Sequence, residues 1–407
     1  MRVIEEPQQT AASVPDAEAL IKEARQRQRK RRLLIGIVVI IAMVVSGVSY
    51  AVVSRPSARA RHTRASSPSK TVSASTGEVT PDQPIGLAVS HDGDLYIADR
   101  GRNEILEWMP SGKFRIVAGT GVAGLTGDGG RSDRAEVNDP DSLVITPSGT
   151  LYFTQTGRYQ APVSSSGGML NTVIREITPA GTIRTIAGLH PSCPSGPVQS
   201  ISAESALFQG ANLSLTLGGA LAVDASVCNI HDQGFSPNLL LTSSGRFVKD
   251  TSNPVPAVAS INCGSGVAGP GFQVFSCSSG GGATADGHPQ ELLVVRSDGS
   301  SVGYPYYGGS GLAVGDGEVI AVHDGDLVRV TSSRLVPLLM NQELLSALRI
   351  QPIADIGTPA VGADGDIYFV ASIMNRSGCQ NRILMRSTGG ALHQIWDSSS
   401  SRNNVCF

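Results

Sequence analysis

Charge and aromatic rings are both scarce in this chain. Of its 407 residues 16% are charged and 5% aromatic, with only two tryptophans. The net charge is -2, which excludes the strongly basic surface of a nucleic-acid-binding domain. No nucleic acid is expected as a partner. Cysteine is absent before Cys193, and no C-x-x-C pair occurs anywhere, so zinc-ribbon and thioredoxin-like sites are excluded. There is no H-E-x-x-H helix motif and no G-x-S-x-G elbow. The seven histidines (His62, His91, His190, His231, His288, His323, His393) are scattered. No catalytic set, metal or cofactor is therefore expected.

Long apolar runs are scarce too, and the exception organises the chain. Leu33 to Val53 carries no charge and is long enough to cross a bilayer as one helix. Arg25, Arg27, Arg29, Lys30, Arg31 and Arg32 crowd its N-terminal edge. Basic residues beside a span stay in the cytoplasm, so residues 1–32 are expected inside and the remainder outside. The competing reading is a cleaved signal peptide, with Ala58-Arg59-Ala60 as its cleavage site, but a signal core is shorter than this run. The expected location is a single-pass membrane protein that contacts the lipid bilayer through residues 33–53.

All six cysteines (Cys193, Cys228, Cys263, Cys277, Cys379, Cys406) lie beyond the span. An even set on the exported side points to disulfides. Pairing of sequence neighbours is simplest: Cys193–Cys228, Cys263–Cys277 and Cys379–Cys406.

The segments divide by composition. Ser13-Val14-Pro15-Asp16 opens a short helix, with a capping serine and an early proline, in the cytoplasmic segment 1–32. Residues 54–80 are Ser, Ala, Arg, Thr and Pro with no large apolar residue except Val72 and Val79. Such a stretch cannot bury enough surface to order itself. It is expected to be a disordered linker, and removal of residues 54–78 is expected to leave folding unchanged.

From Pro81 to Phe407 short apolar alternations recur between turns, which predicts β-strands. One recurring unit is an inner hairpin: Gly86–Val89 with Leu95–Ala98, Ser142–Ile145 with Leu151–Thr154, Gly311–Val314, and Pro359–Val361 with Ile367–Phe369. Gly219–Val223 and Val267–Phe275 supply two weaker copies. The other is an outer hairpin: Ile105–Phe114, Val173–Thr182, Leu239–Phe247, Leu292–Gly299, Leu327–Ser333 and Ile383–Gly389. Six inner and six outer hairpins make six four-stranded units, a six-bladed β-propeller. The Asp-Gly-Asp stretches at Asp92, Asp324 and Asp364 lack the further oxygens of a calcium loop and read as tight turns.

The run Pro84-Ile85-Gly86-Leu87-Ala88-Val89, Asp92-Gly93-Asp94-Leu95-Tyr96-Ile97-Ala98-Asp99, Asn103-Glu104-Ile105 resembles the NHL repeat. So do Val117-Ala118-Gly119-Thr120-Gly121 and Gly127-Asp128-Gly129-Gly130. The resemblance implies an all-β, NHL-like six-bladed propeller used as a binding platform, including sensor domains tethered by one span in bacteria. Some propellers of related outline are lyases or lactonases, which leaves a central-channel enzyme as the alternative.

In a propeller, the turns joining the middle strands share one face with the connections between blades. Function collects on such rigidly held loops. On this chain the face would carry Arg100, Arg102 and Asn103, then Arg158 and Tyr159 in an insertion from Gln155 to Asn171. It would also carry the Asn229–Asn238 loop, Tyr306 and Tyr307, and Arg376 in a loop from Ser372 to Asn381. Arg and Tyr are frequent binding hot spots. The expected ligand is a protein, peptide or glycan outside the cell.

Overall fold

The computed structural model describes residues 79–398, apart from 110, 161–169, 190–199, 217–218, 228–237, 250–260, 264–266, 280–289, 307–310, 316, 349–353 and 376–377. Six antiparallel units follow one another. Blade 1 is β1 (Pro84–Val89), β2 (Leu95–Asp99), β3 (Glu104–Trp108) and β4 (Phe114–Ala118), paired in that order. Blade 2 is β5 (Leu143–Ile145), β6 (Leu151–Gln160), β7 (Leu170–Ile177) and β8 (Ile183–Ala187). A short β9 (Ser200–Ser202) precedes blade 3, which is β10 (Phe208–Leu215), β11 (Leu221–Val227), β12 (Asn238–Leu241) and β13 (Arg246–Lys249).

Blade 4 has a divided inner strand, β14 (Ile261–Cys263) and β15 (Val267–Gly269), both paired with β16 (Phe272–Ser279). Next come β17 (Gln290–Arg296) and β18 (Ser301–Tyr306). Blade 5 is β19 (Leu312–Gly315), β20 (Glu318–His323), β21 (Asp326–Val330) and β22 (Leu335–Leu339). A helix, Asn341–Leu348, leads toward blade 6. Blade 6 again divides its inner strand, β23 (Ala354–Ile356) and β24 (Ala360–Val361), against β25 (Ile367–Asn375). It ends with β26 (Gly378–Arg386) and β27 (Leu392–Asp397). This is the all-β six-bladed propeller that the repeats predict.

Turn chemistry explains the regular hairpins. Gly93 and Gly112 hold φ of 88° and 82°, a region open to glycine at little steric cost. Ser90 accepts the amide of Asp94 on its Oγ at 3.0 Å, and Thr146 does the same for Thr150. The repeat also shows across the sheets. Tyr96 faces Glu107, which faces Arg115; Tyr152 faces Glu176, which faces Arg184. In both rows the arginine pairs with the glutamate.

The core lies between blades. Ala98 and Ile105 of blade 1 pack with Leu151 and Phe153 of blade 2, and Ile174 of blade 2 with Phe208 and Phe247 of blade 3. Blades 4 and 5 share Val294 and Val319; blades 5 and 6 share Ile320 and Phe369. Leu95 and Ile97 of blade 1 pack with Val370, Ile383 and Trp396 of blade 6. The ring thus closes by side-chain packing, and among the described residues no strand is exchanged across the closure.

Inner-strand glycines set how closely blades approach. A Cβ on Gly86 would stand 2.0 Å from the Asp141 carbonyl oxygen, and one on Gly311 2.5 Å from Cα of Thr358.

Several expectations need correction. Both ends of the stretch Gln155–Asn171 are strand: β6 and β7 pair at Thr156–Thr172 and Gln160–Leu170. Arg158 and Tyr159 therefore sit on a strand. The stretch from Ser372 to Asn381 is likewise a hairpin, paired down to Asn375–Gly378, and Tyr306 ends strand β18 opposite Gln290. Polar composition hid these strands, although their polar residues Gln155, Asn171, Ser372 and Asn381 are buried. Val79 packs against the core joining blades 6 and 1.

The helix expected from Ser13 and the span 33–53 lie outside the described residues. No helix among the described residues is long and apolar enough to cross a membrane.

Candidate functional site

The turn between β2 and β3 is built on Asp99. Its side chain, wholly buried, accepts the amides of Asp82 at 2.7 Å, Gln83 at 2.9 Å and Arg102 at 3.2 Å. Burial nevertheless pushes its pKa up to about 6, against the pull of those three bonds and of the Arg102 charge. One carboxylate thus fastens both the lead-in to blade 1 and the turn that carries the arginines.

Arg100 returns its amide to the Gln83 carbonyl at 2.9 Å and reaches sideways to Asp141 on the connection into blade 2. Its Nη2 lies 3.0 Å from Oδ2, with both side chains about half exposed (41% and 52%). Burial holds the Asp141 carboxyl above its ordinary value, despite Arg100. Arg102 turns back to Glu104, with Nε 2.6 Å from Oε2. Asn103 adopts φ 54°, and its Oδ1 accepts the amide of Asp139 at 2.9 Å. Asp139, at φ 45°, is held by that bond.

The Arg100–Asp141 and Asn103–Asp139 contacts put the middle-strand turn of blade 1 and the connection into blade 2 on one face. The same arrangement recurs in blade 5, where Asp326, the first residue of β21 after the turn from β20, accepts the amide of Asn341 at 2.6 Å. Asn341 opens the helix in the connection to blade 6.

Among the candidates, then, Arg100, Arg102 and Asn103 come together. Each is already engaged: Arg102 and Asn103 shape the turn, and Arg100 alone keeps a half-exposed cation. Arg158, Tyr159 and Tyr306 are placed by backbone only, on β6 and β18. Tyr307 and Arg376 lie outside the described residues. Sequence reasoning placed Asp99 on this face and missed Asp139 and Asp141, which with it hold the turn. It also passed over three exposed apolar side chains: Val122 at 56%, Leu189 at 44% and Met340 at 39%. All three stand on connections between blades.

The sulfurs of Cys277 and Cys379 are both disulfide-bonded. The strand register sets Cys263 opposite Cys277, a spacing that suits a bridge. Cys193, Cys228 and Cys406 lie outside the described residues. No three His, Cys, Asp or Glu side chains gather as a metal site needs among the described residues.

These features define a class, the six-bladed β-propeller with a turn-and-connection face. No family model matches the chain. An 84-residue stretch is 33% identical to Teneurin-1 of Mus musculus, covering 17% of this chain and 3% of that protein. An 81-residue stretch is 35% identical to the chloroplastic protein SUPPRESSOR OF QUENCHING 1 of Arabidopsis thaliana, covering 19% and 7%. The chain thus spans less than a tenth of these curated relatives.

Similar solved structures include virginiamycin B lyase from Staphylococcus aureus, at 15% identity and TM-score 0.40, covering 77% of this chain and 84% of that one. Another is the extracellular domain of a putative hybrid two-component system from B. thetaiotaomicron, at 11% and 0.41, covering 80% and 36%. A putative gluconolactonase stands at 12% and 0.40, covering 72% and 86%. Likeness at this distance does not extend to chemistry.

Proposed function

We propose that this is a single-span membrane protein whose exported NHL-like propeller binds or senses a protein, peptide or cell-wall glycan. The observation that carries the reading is the Arg100–Asp141 pair on the turn-and-connection face. An ion pair this exposed is worth about 0–1 kcal/mol, so a ligand's carboxylate can replace Asp141 at small cost. The exposed Val122, Leu189 and Met340 belong to connections between blades, the segments that form this face, and supply apolar contact area. The span 33–53 and its basic flank support the tether, with the N-terminus in the cytoplasm. Disulfides Cys193–Cys228, Cys263–Cys277 and Cys379–Cys406 suit an exported domain.

The test is affinity capture from envelope extract by the full chain, beside Arg100→Glu and Val122→Asp variants. Binding that falls at least tenfold in both variants supports the reading. Binding unchanged by both substitutions overturns the face. Turnover of a substrate that is lost with chelator would replace the reading by a central-channel enzyme.

A further inference from the structure

In each of the first two blades one position on the second strand fastens the incoming chain. Asp99 stands three residues after Tyr96, and Gln155 three after Tyr152, the tyrosines of the equivalent Tyr–Glu–Arg rows. Asp99 accepts two amides of the lead-in to blade 1. Gln155 donates Nε2 to the Gly124 carbonyl, on the connection into blade 2, at 3.1 Å. Both side chains are buried. They differ in one respect: the amide of Gln155 does not titrate, and the carboxyl of Asp99 does.

The bonds to Asp99 are divided unequally between its oxygens. Oδ1 accepts the amides of Gln83 at 2.9 Å and Arg102 at 3.2 Å, and Oδ2 accepts that of Asp82 at 2.7 Å. A carboxylate accepts on both oxygens, whereas a neutral carboxyl turns one of them into an O–H donor. A proton on Oδ1 would set that donor against two N–H groups, and a proton on Oδ2 against one. Protonation at Oδ2 therefore keeps the bonds to Gln83 and Arg102 and gives up the one to Asp82. It also removes the cost of burying a charge, the cause that already draws this group up to about 6.

Asp82 touches the candidate face. Its Oδ2 lies 2.6 Å from where a Cβ on Gly101 would stand, and Gly101 separates Arg100 from Arg102. The other charged groups around Asp99 come from the elements packed about it. Glu104 lies directly opposite on β3 and is bonded to Arg102. Asp139 and Asp141 lie on the connection into blade 2, the latter paired with Arg100.

We propose that Asp99 is a pH-sensitive latch beside the candidate face. Ionised, it holds Asp82 against the Gly101 turn; protonated, it releases Asp82 and keeps Gln83 and Arg102. Acidification thus frees the lead-in from the turn that carries the arginines, while the matching Gln155 hold in blade 2 is unchanged. The use of the latch to regulate a ligand rests on the binding role proposed above; its operation does not.

The test is amide hydrogen exchange of the full chain in detergent micelles at pH 7 and pH 5, each rate divided by that of the unstructured peptide at the same pH. The amide of Asp82 reads the latch. That of Gly124, which donates to the Val137 carbonyl at 3.3 Å, reads general loosening. Protection at Asp82 should fall at least tenfold from pH 7 to pH 5, and protection at Gly124 should hold. Asp99→Asn, with an NH2 donor in place of one oxygen, should leave Asp82 weakly protected at both pH values. Equal protection of Asp82 at the two pH values in the unsubstituted chain overturns the latch, whether or not the variant folds. So does a fall matched at Gly124, or a fall that persists in Asp99→Asn, which would assign it to Glu104 or another acid. No ligand is present in these measurements, so failure of the binding role leaves their result untouched.

Discussion

Arg175, with no exposed surface, donates through Nη2 to Oδ1 of Asp128, a residue 47 positions earlier on the connection from blade 1. The same guanidinium donates to the carbonyls of Glu136 at 2.6 Å and Thr126 at 3.3 Å, while Oδ2 of Asp128 accepts the amide of Thr185 at 2.9 Å. The Gly-Asp-Gly-Gly stretch is thus an anchor, tied across the outer part of blade 2.

Removing a partner from such a buried set leaves polar groups unpaired, which costs about 3 kcal/mol. Arg175→Met should lower stability by about that amount and Asp128→Asn by less, because Asp128 is 36% exposed. Denaturant unfolding of the two variants checks the order; equal and negligible losses would contradict it.

Asp99 predicts a pH dependence. Its pKa is raised from 3.8 to about 6, so the folded state holds the proton more tightly than the unfolded state. The associated stability is fully present below pH 3.8 and is lost as pH rises through 6. By linkage the difference is about 3 kcal/mol, and Asp141, also raised, acts with the same sign. Unfolding measured between pH 4 and 7 should show this decline, and Asp99→Asn should flatten most of it.

The inner-strand glycines differ in what they tolerate. Gly86→Ala would force a Cβ to 2.0 Å from a carbonyl oxygen, so adjacent inner strands must part, at about 1–3 kcal/mol. Gly93→Ala meets open space and bears only the cost of its positive φ, about 1 kcal/mol. Thermal unfolding should rank Gly86→Ala as the more harmful.

Ring closure rests on Trp396, packed between blades 6 and 1. A chain ended at Gly390 loses β27 and exposes the edge of β26 together with part of that core. Such a chain should bind hydrophobic dye and aggregate. A soluble, cooperatively unfolding product would argue against closure at this seam.

The proposed membrane tether has its own check. Protease added to intact cells should remove everything beyond about residue 54 and spare the N-terminal segment. Mature protein that begins near Arg61 would instead indicate cleavage.

The blade count was legible in the sequence because each hairpin repeats a local alternation and a glycine turn. Leu95-Tyr96-Ile97-Ala98 and Leu151-Tyr152-Phe153-Thr154 declare themselves without any long-range knowledge. The proposed span 33–53 rests on length and charge alone and lies outside the described residues. The tertiary structure decided what no short window holds. It turned Gln155 and Asn171 from loop residues into buried strand residues. It spent Arg102 and Asn103 on shaping their own turn and left Arg100 facing Asp141. It also gave Ser132 and Ala203 equivalent bonds, although their side chains share no chemistry. Each donates its backbone amide to a glycine carbonyl more than forty positions ahead, that of Gly181 or Gly245. Composition records which side chains a chain carries, and only closure of the ring determines which main-chain groups meet.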